Sequence, residues 1–272
     1  MHTPGRISSI IAIAAGKGGV GKSMLTVSLA HALVARGAKV GIIDADLYGP
    51  SIGKMIEPTT RIDESNGLIV PAFGHGIYYV SLSQFGIGQE ATIVRAPIAN
   101  EIIKEFLQNV IWPDLDYLLI DFPPGTGDIQ LTIMQEIKLT GAILVTTGQK
   151  IALLDVEKAS QMFKKMQVPI LGVVENMHSI DLGGVVVSPF GESHVVDFCL
   201  KQGLELIGKI PLHSKISQAL DHGKPFIHED LGLKRIFEDL ATDVDGQLLK
   251  TGLESLRSPS FDLKWEGSNV AD

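Results

Sequence analysis

Residues 16–23 read Gly-Lys-Gly-Gly-Val-Gly-Lys-Ser, and no other stretch constrains the chain as tightly. The apolar run Ile10-Ile11-Ala12-Ile13-Ala14-Ala15 leads into it, and a helical pattern starting near Lys22 leads out. A strand, a glycine-rich turn and a helix in that order make an anion cradle. The glycines let backbone N–H groups converge, and the helix N-terminus adds its positive dipole end. Within the GxxxxGK[ST] pattern Lys22 can reach the β- and γ-phosphates of a nucleotide, and the Ser23 hydroxyl can take a place on Mg²⁺. A glycine-rich turn that merely joins strand to helix would not need the lysine and the hydroxyl together. The octet points to nucleotide binding through Gly16, Lys17, Gly18, Gly19, Val20, Gly21, Lys22 and Ser23.

Strands and helices alternate along most of the chain. A second short apolar strand, Lys39 to Asp44, follows the first helix, whose stop is Gly37. Leu68 to Phe73 and Ile77 to Phe85 flank Gly74-His75-Gly76 and predict a hairpin. Pro97 opens a helix with Ile98, Ile102, Phe106 and Leu107 on one face. Tyr117 to Asp121 is a third buried strand. Beyond it the pattern predicts a helix near 128–138, a strand over 142–147, a helix over 152–166 and a strand over 169–175. A helix over 192–202, a strand over 204–210 and helices over 214–222 and 232–250 complete the series. Such alternation gives an α/β fold with a doubly wound, mostly parallel sheet. A single domain over 1–250 and a loosely held tail over 251–272 are expected.

Composition excludes several classes. The chain has 272 residues and a net charge of −8, which leaves no excess of Lys and Arg for general nucleic-acid binding. A single cysteine rules out an intramolecular disulfide framework and suits a reducing, cytoplasmic setting. No stretch reaches the roughly 18 apolar residues of a membrane span, and no secretory signal is read at the start. Neither nucleic acid nor membrane is an expected partner.

The chemistry concentrates where strands end, the carboxyl edge at which open α/β sheets place ligands. Asp44-Ala45-Asp46 closes the second strand; two carboxylates there could support the Mg²⁺ shell and orient an attacking water, or one could cap the next segment. Asp121 closes the third and matches a carboxylate that supports Mg²⁺, with Gly125 and Gly127 just beyond able to respond to a γ-phosphate. Asn176 ends the strand Ile170 to Glu175, with an amide suited to an adenine edge or to capping a turn. Lys17 adds charge near the phosphates, offers it to a neighbouring subunit, or faces solvent.

GKGGVGKS, DADLYGPS (44–51), DFPPGTGDIQLT (121–132), LTGAILVTT (139–147), VPILGVVENM (168–177) and IGKIPLHSKI (207–216) together resemble the Mrp/ApbC family. These are ATPases of the MinD–ParA class, with a deviant phosphate loop, that act as iron–sulfur cluster carriers. The resemblance spans residues 8 to 230. It implies ATP and Mg²⁺ as cofactors, Lys17, Lys22 and Asp46 as catalytic side chains, and Ser23, Asp44 and Asp121 on the metal side. It places Lys17 on phosphates across a homodimer and Asn176 against adenine, and it implies apoprotein clients or cluster scaffold proteins as partners. A nucleotide switch of the MinD/ParA kind, positioning other macromolecules without a cluster, is the alternative function.

One part of the family pattern is missing. Members that carry clusters usually hold a Cys-x-x-Cys pair soon after ENM, so that two subunits supply four thiolates to a [4Fe–4S] cluster. Residues 177–191 here contain no cysteine. The single thiol, Cys199, falls on the apolar face of a predicted helix and reads as a core residue. His178 and Asp181 share the loop, but ligation of a bridging cluster by His and Asp would be unusual, and the eight histidines show no paired metal-ligand spacing. The ATPase half of the resemblance transfers to this chain, and direct cluster binding does not.

Overall fold

Alternate residues of β1 (Ile7–Ala15) face opposite sides of a sheet, and both sides are buried along its second half. Ile11, Ile13 and Ala15 enter one apolar core, while Ile10, Ala12 and Ala14 enter another. A strand of that kind belongs in the interior of a sheet covered on both faces. The computed structural model, which describes residues 5–47, 49–65, 67–81, 84, 96–225 and 230–252, places it there. Edge to edge the sheet runs β12 (Leu206–Lys209), β9 (Ile170–Glu175), β8 (Gly141–Thr146), β1, β7 (Leu115–Asp121), β2 (Val40–Asp44), β6 (Ile77–Ser81) and β5 (Ala72–Gly74). Neighbouring strands are parallel except β5 with β6.

One face carries α1 (Lys22–Ala35), α2 (Ile52–Met55), α7 (Ser214–Asp221) and α8 (Leu231–Lys250). The other carries α3 (Ala96–Gln108), α4 (Asp128–Glu136), α5 (Lys150–Lys165) and α6 (Val195–Gln202). Helix α1 is buried on nearly every side, polar residues included: Thr26, Ser28 and His31 are as hidden as Leu25 and Leu29. It is therefore a core helix between sheet and α8 rather than a surface helix with one apolar stripe.

The doubly wound α/β fold is as expected, and most element ends fall within a few residues of the sequence reading. The hairpin around Gly74-His75-Gly76 forms, but only 72–74 is its first arm. Leu68–Val70 lies beyond Pro71 and pairs instead as β4 with β3 (Asp63–Ser65). The helix expected from residue 192 begins at Val195, whose N–H donates to the Ser193 hydroxyl oxygen at 3.3 Å. Helix α2, the β3–β4 ribbon and a second ribbon, β10 (Ile180–Asp181) with β11 (Val186–Val187), have no counterpart in the sequence reading. Phe85 and residues 253–272 of the expected tail lie outside the described residues. No described helix is long and apolar enough to cross a membrane.

Candidate functional site

The parallel strands bring the ends of β1, β2, β7, β8 and β9 to one edge, and the sequence-predicted site residues gather there. After Ala15 the chain turns through the glycine-rich octet and enters α1 at Lys22. Gly19 and Gly21 adopt φ of +80° and +85°, a left-handed conformation that side chains with a Cβ avoid. The glycines differ in their tasks. A Cβ on Gly18 or Gly19 would meet nothing within 4 Å, whereas one on Gly16 would lie 2.1 Å from the backbone carbon of Asp155 in α5. Gly18 and Gly19 keep the cradle open to solvent, and Gly16 lets the loop lie directly against α5.

Asp121 is the hub. Its Oδ1 accepts from the Lys22 ammonium at 2.7 Å and from Thr26 Oγ1 at 3.1 Å, and its Oδ2 accepts from Ser23 Oγ at 2.5 Å. Asp121 is fully buried and Lys22 is only 7% exposed, so the pair sits where water screens it weakly. The Lys22 ammonium also lies 3.9 Å from Asp46 Oδ2.

Asp44 faces Asp121 in register across β2 and β7. Its Oδ2 accepts from Ser51 N–H, Ile52 N–H and the Ser81 hydroxyl at 2.8–3.0 Å, and its Oδ1 accepts from Asp46 N–H at 3.3 Å. Asp44 thus holds both ends of the loop that carries Asp46. Burial, and next the charge of Asp121, raise its carboxyl well above the usual range, against the opposing pull of Ser81, Ile52 N–H and Lys22.

The segment after Asp121 is fastened to β1 by Phe122 N–H on the Ile13 carbonyl and Gly125 N–H on the Ala15 carbonyl, at 3.0 and 3.1 Å. Gln130 closes it from the other side. The Gln130 Nε2 donates to the carbonyls of Pro123 and Pro124, and its Oε1 accepts from Gly127 N–H at 2.8 Å. Asn176 is 1% exposed and donates Nδ2 to the Val20 carbonyl at 2.8 Å. Lys17 is half-buried and its ammonium has no hydrogen bond or ion pair among the described residues.

Thr26, Ser81 and Gln130 escaped the sequence reading. Gln130 had a readable signal, the capping-box spacing of three residues after Gly127. Thr26, four residues after Lys22 on the helix, could be found by asking which α1 side chains share its face. Ser81 comes from a strand with no motif and left no signal.

Cys199 is buried in the core between α6 and the sheet, as expected, and burial pushes its thiol up to about 11, with the nearby charge of Glu175 adding to the effect. Among the described residues, no three His, Cys, Asp or Glu side chains form a group that could hold a metal by themselves. Mg²⁺ does not need one, because it is commonly held by one or two protein oxygens together with substrate phosphates and water. Ser23 and Asp121, beside an open phosphate loop, fit that pattern. A cleft of about 730 Å³ at the opposite edge, lined by Arg6, Arg36, Tyr117 and Asp245 among others, shares no residue with this site.

Comparison with known proteins agrees with this geometry. Residues 6–245 match the family described as ParA, NUBPL iron-transfer P-loop NTPase. The iron–sulfur cluster carrier protein of Salmonella typhimurium is 42% identical over 252 residues, covering 90% of this chain and 68% of that protein. The chloroplastic Fe–S cluster assembly factor HCF101 of Arabidopsis thaliana is 41% identical over 263 residues, 94% of this chain and 49% of that protein. A nucleotide-binding protein from Archaeoglobus fulgidus, solved in complex with ADP, superposes with a TM-score of 0.69 at 37% identity, covering 82% of this chain and 90% of that one. With the phosphate loop, the Asp121 hub and the parallel sheet in place, the chain belongs to the ParA-type, iron-transfer P-loop NTPase family.

Proposed function

We propose that this protein binds ATP with Mg²⁺, hydrolyses the terminal phosphoanhydride, and works as a homodimer gated by nucleotide in the delivery of iron–sulfur clusters to apoprotein clients. The observation that carries the reading is the convergence of Lys22, Ser23 and Thr26 on buried Asp121 beside an open phosphate loop. When bound, Mg²⁺ neutralises charge on the β- and γ-phosphate oxygens; Ser23 and Asp121 would hold it, with Asp44 behind them. Lys22 leaves its carboxylate partners to meet the phosphates. Asp46, on the loop that Asp44 fastens, orients the attacking water. Asn176 has a second N–H and its oxygen left for an adenine edge while the first N–H braces the loop. Lys17, whose ammonium has no partner among the described residues, reaches phosphates bound by the other subunit.

A cysteine-ligated cluster does not fit these residues. Cys199 is 3% exposed, its thiol is protonated at neutral pH, and no second cysteine exists. The cluster is therefore cargo held by a scaffold or client, and this chain supplies the nucleotide-driven step in a reducing compartment such as the cytoplasm. The same lack of thiols favours a second reading, a nucleotide switch that positions partner macromolecules and never touches a cluster.

Steady-state ATP turnover with Mg²⁺, alongside direct measurement of ATP affinity, tests the proposal. Asp46→Asn is expected to lower turnover by at least about 100-fold, the scale of a lost water-orienting group, with affinity within a few-fold of the parent. Unchanged turnover removes Asp46 from the mechanism, and no turnover in the parent protein overturns hydrolysis itself.

A further inference from the structure

The cleft of about 730 Å³ lies where β1 and β7 begin, opposite the nucleotide site. Its deeper lining is Ser9 and Tyr117, half-buried neighbours in register on β1 and β7, with buried Leu33 of α1. The charged lining is Arg6, Arg36 and Lys39 against Asp114, Asp116 and Asp245. Three cations and three carboxylates leave no net formal charge to attract a ligand. What the cleft can take therefore depends on which of its polar groups are already engaged.

The acceptors are engaged. Asp114 Oδ1 accepts from Arg6 N–H and Asp116 Oδ2 from Lys39 N–H, both at 2.8 Å. Asp245 takes the Tyr117 hydroxyl on Oδ1 at 2.6 Å and the Arg36 guanidinium on Oδ2 at 2.8 Å. Main-chain oxygens are occupied too. The Arg6 carbonyl accepts from Leu115 N–H, and the Lys39 carbonyl from Asp116 and Tyr117 N–H. Left-handed Gly37 ends α1 so that the Leu33 carbonyl accepts from Ala38 N–H and the Val34 carbonyl from Gly37 N–H, which closes both to a cation.

The donors are not engaged. Among the described residues, the Arg6 guanidinium, the Lys39 ammonium and the Ser8 and Ser9 hydroxyls make no hydrogen bond or ion pair, and Arg36 uses only Nη2 of its guanidinium. We propose that this cleft binds a small anion with several oxygen acceptors, a phosphate or carboxylate compound, through Arg6, Lys39 and the unused N–H groups of Arg36. Forked guanidinium donors suit such oxyanions, and the two serine hydroxyls add neutral donors beside them. Helix α1 opens with Lys22 in the phosphate loop and ends in this cleft, a span of about 20 Å for its 14 residues. Anion and nucleotide can therefore be bound together.

Calorimetric titration of the full chain, saturated with ADP and Mg²⁺ so that the phosphate loop is filled, tests this. Inorganic phosphate and succinate are the two probes, each read against sodium chloride at equal ionic strength. One site per chain is expected for at least one probe, and the tighter of the two tells whether the ligand is a phosphate or a carboxylate compound. Arg6→Gln combined with Lys39→Gln is expected to weaken that binding at least about tenfold, the scale of a lost hydrogen bond to a charged group. Asp114 and Asp116 bond to main-chain N–H groups that both substitutions retain, so Tm and ADP affinity should hold in the variant. Binding unchanged in the double variant overturns the proposal, and so does a parent that binds neither anion beyond the chloride control.

Discussion

Asn176 and Val20 are 156 positions apart in sequence, yet a buried 2.8 Å hydrogen bond joins the side-chain amide of one to the carbonyl of the other. The contact is so close that a Cβ on Gly21 would lie 2.1 Å from Asn176 Nδ2. Asn176→Ala leaves the Val20 carbonyl buried without a donor, an expected cost of about 1–3 kcal/mol, visible as a lower Tm. The nucleotide specificity separates the two tasks of this residue. A pure brace weakens ATP and GTP binding equally, whereas an adenine contact costs ATP more than GTP.

The phosphate-loop glycines should respond differently to the same substitution. Gly16→Ala forces a methyl into the Asp155 backbone and is expected to destabilise the fold by about 1–3 kcal/mol. Gly18→Ala meets open space and should leave the Tm of the nucleotide-free protein within a degree or so on that scale. Equal thermal shifts in the two variants would show that the loop does not rest on α5.

Gln130 is a positioning residue for the segment 123–127. Gln130→Ala removes the donor to two proline carbonyls and the acceptor for Gly127 N–H. ATP turnover is expected to fall more than ATP affinity, with kcat lowered at nearly constant KM, because that segment follows Asp121, the carboxylate proposed to support the metal. A rise in KM alone would mean that Gln130 shapes ground-state binding instead.

The Cys199 thiol, raised from an ordinary 9.0 to about 11, should be alkylated at pH 8 roughly 100-fold more slowly in the folded protein than in denaturant, from thiolate fraction alone. Reactivity in the folded state should climb as pH rises toward 11. Anaerobic reconstitution with iron and sulfide is expected to leave no stoichiometric cluster, and Cys199→Ser to change nothing in that result. A cluster present in the parent and lost in the variant would make Cys199 a ligand.

The site is legible in the sequence where chemistry and strand periodicity coincide. Asp44 and Asp121 each stand at the end of an apolar run too short for a helix, Lys22 and Ser23 open the helix one glycine loop beyond another such run, and in a parallel sheet such run-ends share one edge. What stays hidden depends on contacts made across the fold. Nothing local says that Asp44 fastens the 46–52 loop, since its partners Ser51, Ile52 and Ser81 come from a turn, a one-turn helix and a separate strand. The β3–β4 and β10–β11 ribbons are too short to build a period of two. The apolar residues 182–187 lack the alternation of a half-buried strand because the ribbon in this chain covers no core.

The two buried carboxylates on adjacent strands, Asp44 and Asp121, carry a consequence for the order of events. In the chain alone the Lys22 ammonium is their counter-ion. Phosphates that recruit this ammonium would leave Asp121 and the Asp44 carboxyl, already raised by burial and by its neighbour, without that counter-ion in a poorly screened interior, unless a divalent cation arrives with them. Nucleotide that arrives without a divalent cation would therefore meet repulsion from the carboxylate side of the site, and a cation arriving with it would offset that repulsion. A strand pair with one shared lysine thus ties nucleotide binding to the arrival of a cation through charge rather than through a cage of ligands.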